Sequence, residues 1–109
     1  MKIKIKPLSI NAAYRTFKGR VIKSVAYRDY EKELWYKLPN KSIPQGKLLL
    51  DVKAGYSSAR SDIDNFLKPF VDILQKKYVF NDNMIYKLIV EKKIVKKGNE
   101  YIDYKISEY

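Results

Sequence analysis

The chain opens on alternation. Ile3 and Ile5 are interleaved with Lys2, Lys4 and Lys6, and a period of two predicts a strand with one apolar and one basic face. Pro7 ends this strand or marks it as an edge. Ser9 to Arg15 reads as a loop, and Thr16 to Ile22, with Gly19 at its middle, as a small hairpin. Ser24 is a good N-cap for a helix running to about Leu38. Its inward stripe is Tyr27, Tyr30, Leu34, Trp35 and Leu38, which fall at helical spacing. Pro39, Asn40, Pro44 and Gly46 make the next segment a loop. From Lys47 to Ala54, the continuous Leu48-Leu49-Leu50 run followed by Val52 suits a buried strand. Gly55 to Ser61 then reads as a loop.

The apolar positions Ile63, Phe66, Leu67, Phe70, Val71 and Leu74 follow the i, i+3, i+4, i+7 series of an amphipathic helix over Ile63 to Lys77. With Asp64 as its cap, Pro69 lies near the start and a kink is expected there. After Asn81-Asp82-Asn83 comes a long strand, Met84 to about Val95. A turn at Lys97-Gly98-Asn99 leads to a last strand, Tyr101 to Ser107, and the two strands read as a C-terminal β-hairpin. The expected architecture is α+β: two helices packed on a mixed or mostly antiparallel sheet.

Composition narrows the chemistry. With 109 residues and no break in composition, the expectation is a single domain over 1–109. Cysteine and histidine are both absent. Thiolate and imidazole metal sites, cysteine nucleophiles and histidine-based triads are therefore excluded. The net charge is +11, from 23 Lys+Arg against 12 Asp+Glu, which admits nucleic acid, an anionic membrane or an acidic protein as partner. No apolar run approaches a membrane span, and the alternating N-terminus lacks a signal-peptide block, so a cytoplasmic protein is expected.

The minority charge is the more informative one. Asp62, Asp64, Asp72 and Asp82 gather around the second helix. Asp64, Lys68 and Asp72, spaced by four, project from one polar helical face, and Asp82 precedes the next strand. Carboxylates without histidine suit Mg²⁺, which takes oxygen ligands and fills its other positions with water and phosphate. Such an ion activates water and neutralises the charge of a phosphodiester transition state. A plainer reading stands beside this one. Asp62 is a sensible N-cap, Asp64 a sensible first-turn residue, and the ladder an ordinary ion-pair series worth ~0.5 kcal/mol per pair.

The order of residues adds a resemblance. Asp62-Ile63-Asp64-Asn65-Phe66-Leu67-Lys68, then Asp72-Ile73-Leu74, then Asn81-Asp82-Asn83 is similar to the D-x-D-N-x-x-K signature, following D-x-L and acidic turn of the RusA-type Holliday-junction resolvases. Asn11-Ala12-Ala13-Tyr14-Arg15, Gly19-Arg20 and the helix opened by Ser24 are similar as well, so the resemblance covers nearly the whole chain. It implies a homodimeric endonuclease that makes paired nicks in four-way DNA junctions with Mg²⁺, or Mn²⁺ as substitute, and it suits a phage or prophage. Carried over, Asp62, Asp64 and Asp82 match the catalytic metal-binding aspartates and Lys68 the essential lysine. Asn65 and Asp72 match supporting positions. Arg15, Lys18, Arg20 and Arg60 are the candidates for flanking phosphates. Two departures stand out. Asn81 replaces the first acid of the turn. Ser61 stands where a basic residue often precedes the first aspartate, and Arg60 is the candidate for the same phosphate.

Two other readings compete. Asp82 followed by Glu91-Lys92-Lys93 fits a short D…E-x-K nuclease pattern. A non-catalytic basic nucleic-acid-binding module would use the arginines, lysines and tyrosines alone. The acidic cluster discriminates against the pure binder, because uncompensated carboxylates repel phosphate.

Overall fold

The computed structural model describes residues 1–109. In chain order the elements are β1 (Lys2–Ile3), α1 (Ile10–Ala13), β2 (Tyr14–Phe17), β3 (Arg20–Lys23), α2 (Val25–Lys37), β4 (Leu48–Tyr56), α3 (Leu67–Tyr78), a 3₁₀ turn (Asp82–Met84), β5 (Ile85–Ile94) and β6 (Tyr101–Glu108). Four strands form one mixed sheet in the order β1-β6-β4-β5, and β2 and β3 form a separate hairpin. The α+β class is as expected.

Local signals held where local chemistry decides. Ser24 caps α2, its Oγ accepting from the Tyr27 N–H at 3.1 Å. The β2–β3 hairpin turns on Lys18 and Gly19, both with positive φ (50° and 74°), as a two-residue primed turn requires. The Ser9–Arg15 segment is not all loop. Ser9 caps the short α1, accepting from the Ala12 N–H at 3.2 Å, and the Ser24 hydroxyl closes the far end by donating to the Ala12 carbonyl at 2.6 Å.

The expected C-terminal hairpin does not form. β4 lies between β5 and β6, parallel to β5 and antiparallel to β6. The reason is burial. β4 carries the most apolar run, with Leu48, Leu50, Val52 and Ala54 all buried, so it takes the position with a partner on each side. β5, with Lys87, Glu91 and Lys93 exposed, is left as an edge. The segment joining β5 to β6 passes over the end of β4, where the Val95 N–H donates to the Tyr56 carbonyl at 2.7 Å. A parallel β4–β5 pair needs a crossover, and the loop 57–66 with α3 provides it.

The core joins Tyr27, Tyr30 and Leu34 of α2, Phe70, Ile73 and Leu74 of α3, and the inward residues of β4 and β6. Trp35 departs from its predicted stripe. It lies 41% exposed, under the Lys77 ammonium at 4.7 Å from its ring centre. Gly55 of β4 faces Tyr101 of β6, whose ring occupies the space where a Cβ would stand.

Helix α3 starts at Leu67, later than the periodicity predicts. Phe66 continues the apolar series and is fully buried, but it does so from the loop. Neither Asp62 nor Asp64 is the cap: Phe66 holds that position, without a side-chain bond. Pro69 therefore falls in the first turn, where backbone N–H groups have no intrahelical acceptor, so the reason to expect a kink is gone.

Candidate active site

The loop from Ser57 to Phe66 hangs between the end of β4 and the start of α3 and carries Arg60, Asp62 and Asp64. Three anchors shape it. The Lys92 ammonium on β5 donates to the carbonyls of Ala59 at 3.2 Å and Ser61 at 2.8 Å. The Ile10 N–H donates to the Asn65 carbonyl at 2.8 Å. Phe66 plugs the core. Within the loop, the Asn65 amide donates to Asp62 Oδ2 at 2.9 Å, and the Asp64 carbonyl accepts from the Leu67 N–H at 3.0 Å. Both carboxylates are exposed and lie close enough to Tyr56 for their charge to act on its hydroxyl. Burial first, then Asp64 and Asp62, push that hydroxyl up to about 12.

A second group of side chains follows α3. Asp72, half-buried, accepts from Lys68 at 3.3 Å, Gln75 at 3.4 Å and the Tyr14 hydroxyl at 3.5 Å. The Gln75 carbonyl oxygen in turn accepts from the Asp82 N–H at 2.7 Å. Asp72 thus ties three elements together: the base of the β2–β3 hairpin, the first turns of α3 and, through Gln75, the Asp82 turn. The hydrogen bond and charge of Asp72 hold the Lys68 ammonium above its ordinary value, and Tyr14 and Asp82 add to the shift. Asp82 is therefore within electrostatic reach of Lys68.

The predicted ladder is half present. Lys68 and Asp72 form the i, i+4 ion pair, while Asp64 stands in the loop, off the helical face. No group of three or more acidic side chains converges to metal-holding distance: Asp62 and Asp64 are carried on the loop before α3, and Asp82 on the turn after it, its N–H bonded to Gln75. The donor set is nonetheless the right kind for a hard divalent cation, being all carboxylate and solvent-accessible. Asp62, Asp64 and Asp82 make no ion pair, whereas Asp72 does.

The basic candidates divide in the same way. Arg15, Lys18 and Arg20 stand exposed on the β2–β3 hairpin, and Arg60 stands exposed on the loop. None of the four is in an ion pair. At the hairpin tip, Arg15 and Lys18 each lie 5.4 Å from the centre of the Phe17 ring. The D…E-x-K reading is not supported. Glu91 faces Lys53 across the sheet and bridges Lys53 and Lys93 at 3.5 Å each. It stands six residues along β5 from Ile85, roughly 20 Å of extended chain from the Asp82 turn.

Sequence reasoning missed Gln75 and Lys92. Gln75 was detectable as the residue one turn beyond Asp72. Lys92 carried no signal, because its role depends on the parallel β4–β5 pairing that brings it to the loop.

Exposed, unpaired carboxylates and exposed, unpaired cations, on a domain of net charge +11, are the side chains that handling phosphodiesters requires. Comparison with protein families gives that class a definite member: residues 4–103 match the family model Endodeoxyribonuclease RusA, and a match over so much of the chain means that it belongs to the RusA endodeoxyribonuclease family. It is accordingly a nuclease of Holliday-junction resolution, with branched DNA as substrate and a metal requirement, in recombination and repair. Among curated proteins none matches the chain. No helix is long and apolar enough to cross a membrane.

Proposed function

We propose that this single domain over residues 1–109 works as a cytoplasmic, Mg²⁺-dependent homodimer that resolves four-way junctions by paired nicks, with Mn²⁺ able to replace Mg²⁺. Asp62, Asp64 and Asp82 would hold the cation. When bound, it supplies positive charge to a phosphodiester transition state and lowers the pKa of water. Lys68 stabilises charge on the scissile phosphate. Asp72 and Gln75 position it: Asp72 orients the ammonium, and Gln75 carries the same network to Asp82. Asn65 fixes the Asp62 carboxylate. Arg15, Lys18, Arg20 and Arg60 contact flanking phosphates. Two symmetric cuts need two sites related by a two-fold axis, which a C2 dimer supplies.

The observation that carries this reading is the chain of hydrogen bonds from Lys68 through Asp72 and Gln75 to the Asp82 backbone, which ties the proposed lysine to one of the three aspartates. Exposed carboxylates there are available to a cation, and without one they would repel the DNA that the surface attracts.

The test compares a synthetic four-way junction with a linear duplex of the same sequence, with and without Mg²⁺. Paired nicks in the junction, abolished by a chelator, are expected. Equal cutting of the linear duplex, or cutting that survives the chelator, would contradict the reading.

A further inference from the structure

The flank of α2 that meets α3 is basic and aromatic. Arg28, Lys32 and Trp35 follow one another at i, i+4 and i+7, which aligns them along one side of the helix. All three are exposed. Lys77 of α3 stands against them, its ammonium donating to the Trp35 carbonyl at 3.1 Å and lying over the indole ring. Beside this group, Lys23 and Lys76 share a single acid, Glu31. Arg28, Lys32 and Lys77 enter no ion pair, and Asp72, one turn before Lys76, is taken by Lys68. The other two acids of α2, Asp29 and Glu33, line the cavity on the side of the loop 57–66. The charges of the helix are thus sorted, with the cations gathered on the α3 side.

The molecule does not relieve this crowding by itself. Lys76 beside it, and then burial, hold the Lys23 ammonium below its ordinary value, although Glu31 opposes both. A polyanion laid on the flank would relieve the repulsion. The aromatics suit the same partner. Trp35 is the only tryptophan of the chain, yet it stays 41% exposed, and Tyr36 beside it is 89% exposed. Neither fills the core. Each adds a polar hydrogen, an indole N–H or a phenol O–H, that a phosphate oxygen accepts. The convex side of a helix meets the backbone of a duplex more readily than it encloses a single strand. Its position also fits. Lys68 and Lys76 are eight residues apart on α3, about 12 Å, which is well inside one turn of DNA.

We propose that the flank formed by Arg28, Lys32, Trp35 and Lys77 is a further DNA-binding face, which holds the phosphate backbone of a duplex arm beside the one that is cut. The proposal rests on branched DNA as the substrate and is independent of the roles given to the aspartates. The cations then divide the work. Those of the β2–β3 hairpin and the loop 57–66 hold phosphates around the cut, and those of α2 and α3 hold an arm leading away from it.

The experiment has two readouts, both taken with a chelator present so that no strand is cut. In the first, wild type is titrated with a synthetic four-way junction while the emission of Trp35 is followed, which reports from this flank alone. A change in emission that saturates together with the anisotropy of the labelled junction is expected. Binding by anisotropy with unchanged emission overturns the proposal. A single-stranded oligonucleotide that displaces the junction from this signal better than a duplex does overturns the choice of a duplex arm. In the second, junction affinity is measured against salt for Arg28→Gln/Lys32→Gln and for a control of equal charge, Lys97→Gln/Lys105→Gln, whose side chains are also exposed. The slope of log K against log salt should fall by about 2 in the first variant, one phosphate contact for each cation, and stay at the wild-type value in the control. Equal slopes in the two variants overturn the proposal. If wild type binds no junction, the substrate reading fails by itself, and the emission of Trp35 with linear duplex still decides whether the flank binds DNA.

Discussion

Helix α3 carries Lys68, Asp72 and Gln75, and its last turn is fastened by one buried pair of tyrosines. The Tyr78 hydroxyl donates to the Pro39 carbonyl at 2.8 Å and lies 2.7 Å from the Tyr104 hydroxyl. Tyr78 has one proton, and Pro39 takes it, so Tyr104 must be the donor in the pair. The two deletions are then unequal. Tyr104→Phe removes one hydrogen bond and leaves Tyr78 bonded to Pro39, costing about 1 kcal/mol. Tyr78→Phe strands the buried Tyr104 hydroxyl and also takes the partner of the half-buried Pro39 carbonyl, costing about 2–3 kcal/mol. The Lys41 ammonium lies over both rings, at 5.9 and 5.1 Å, and the rings survive either change, so that contact does not blur the comparison. At about 4 °C per kcal/mol for a domain of this size, calorimetry should find Tyr78→Phe roughly 4–8 °C below Tyr104→Phe. The double variant should cost no more than Tyr78→Phe alone, since it removes a stranded hydroxyl. Equal losses for the two single variants, or additive losses in the double, would refute the assigned direction of the bond.

The remaining predictions concern the sheet, the loop and pH. Gly55→Ala forces a Cβ into the Tyr101 ring and should cost ~1–3 kcal/mol; Tyr101→Ala in the same background should recover part of it in denaturant titrations. Lys92→Met frees the carbonyls of Ala59 and Ser61, so hydrogen exchange should quicken across residues 57–66 and stay unchanged in β6. Burial pushes the Glu31 carboxyl up, but the hydrogen bonds and charges of Lys76 and Lys23 outweigh it and hold it below its ordinary 4.5. Its contribution to stability is therefore full above that value and lost as pH falls through the lowered one. Glu31→Gln should flatten the acid limb of a melting-temperature profile.

The fold was legible wherever a residue's neighbours in the chain set its conformation. Ser24 announced α2, Gly19 announced the small hairpin, and the Leu48–Leu50 run announced a buried strand. The failure was pairing. Met84 to Ser107 has every local mark of a hairpin, and only competition for the centre of the sheet, won by β4, separates its strands. The start of α3 was misplaced because Phe66 keeps helical spacing while serving the core from a loop. In the site, the types and order of Asp62, Asp64, Lys68 and Asp82 were visible. The hydrogen bonds that position them were not, since Tyr14, Gln75 and Lys92 reach across elements whose arrangement had first to be known. Tyr30 was correctly read as an inward residue, but its unpartnered hydroxyl shows only in three dimensions.

Asp82 tests the central claim most sharply, because it is the proposed cation ligand set apart from Asp62 and Asp64. Single-turnover cleavage of a four-way junction in Mg²⁺ should fall about 10²-fold or more in Asp82→Asn, with junction binding and melting temperature retained. Cleavage at the wild-type rate by a folded Asp82→Asn protein would contradict the assignment of the three aspartates to one metal-dependent site.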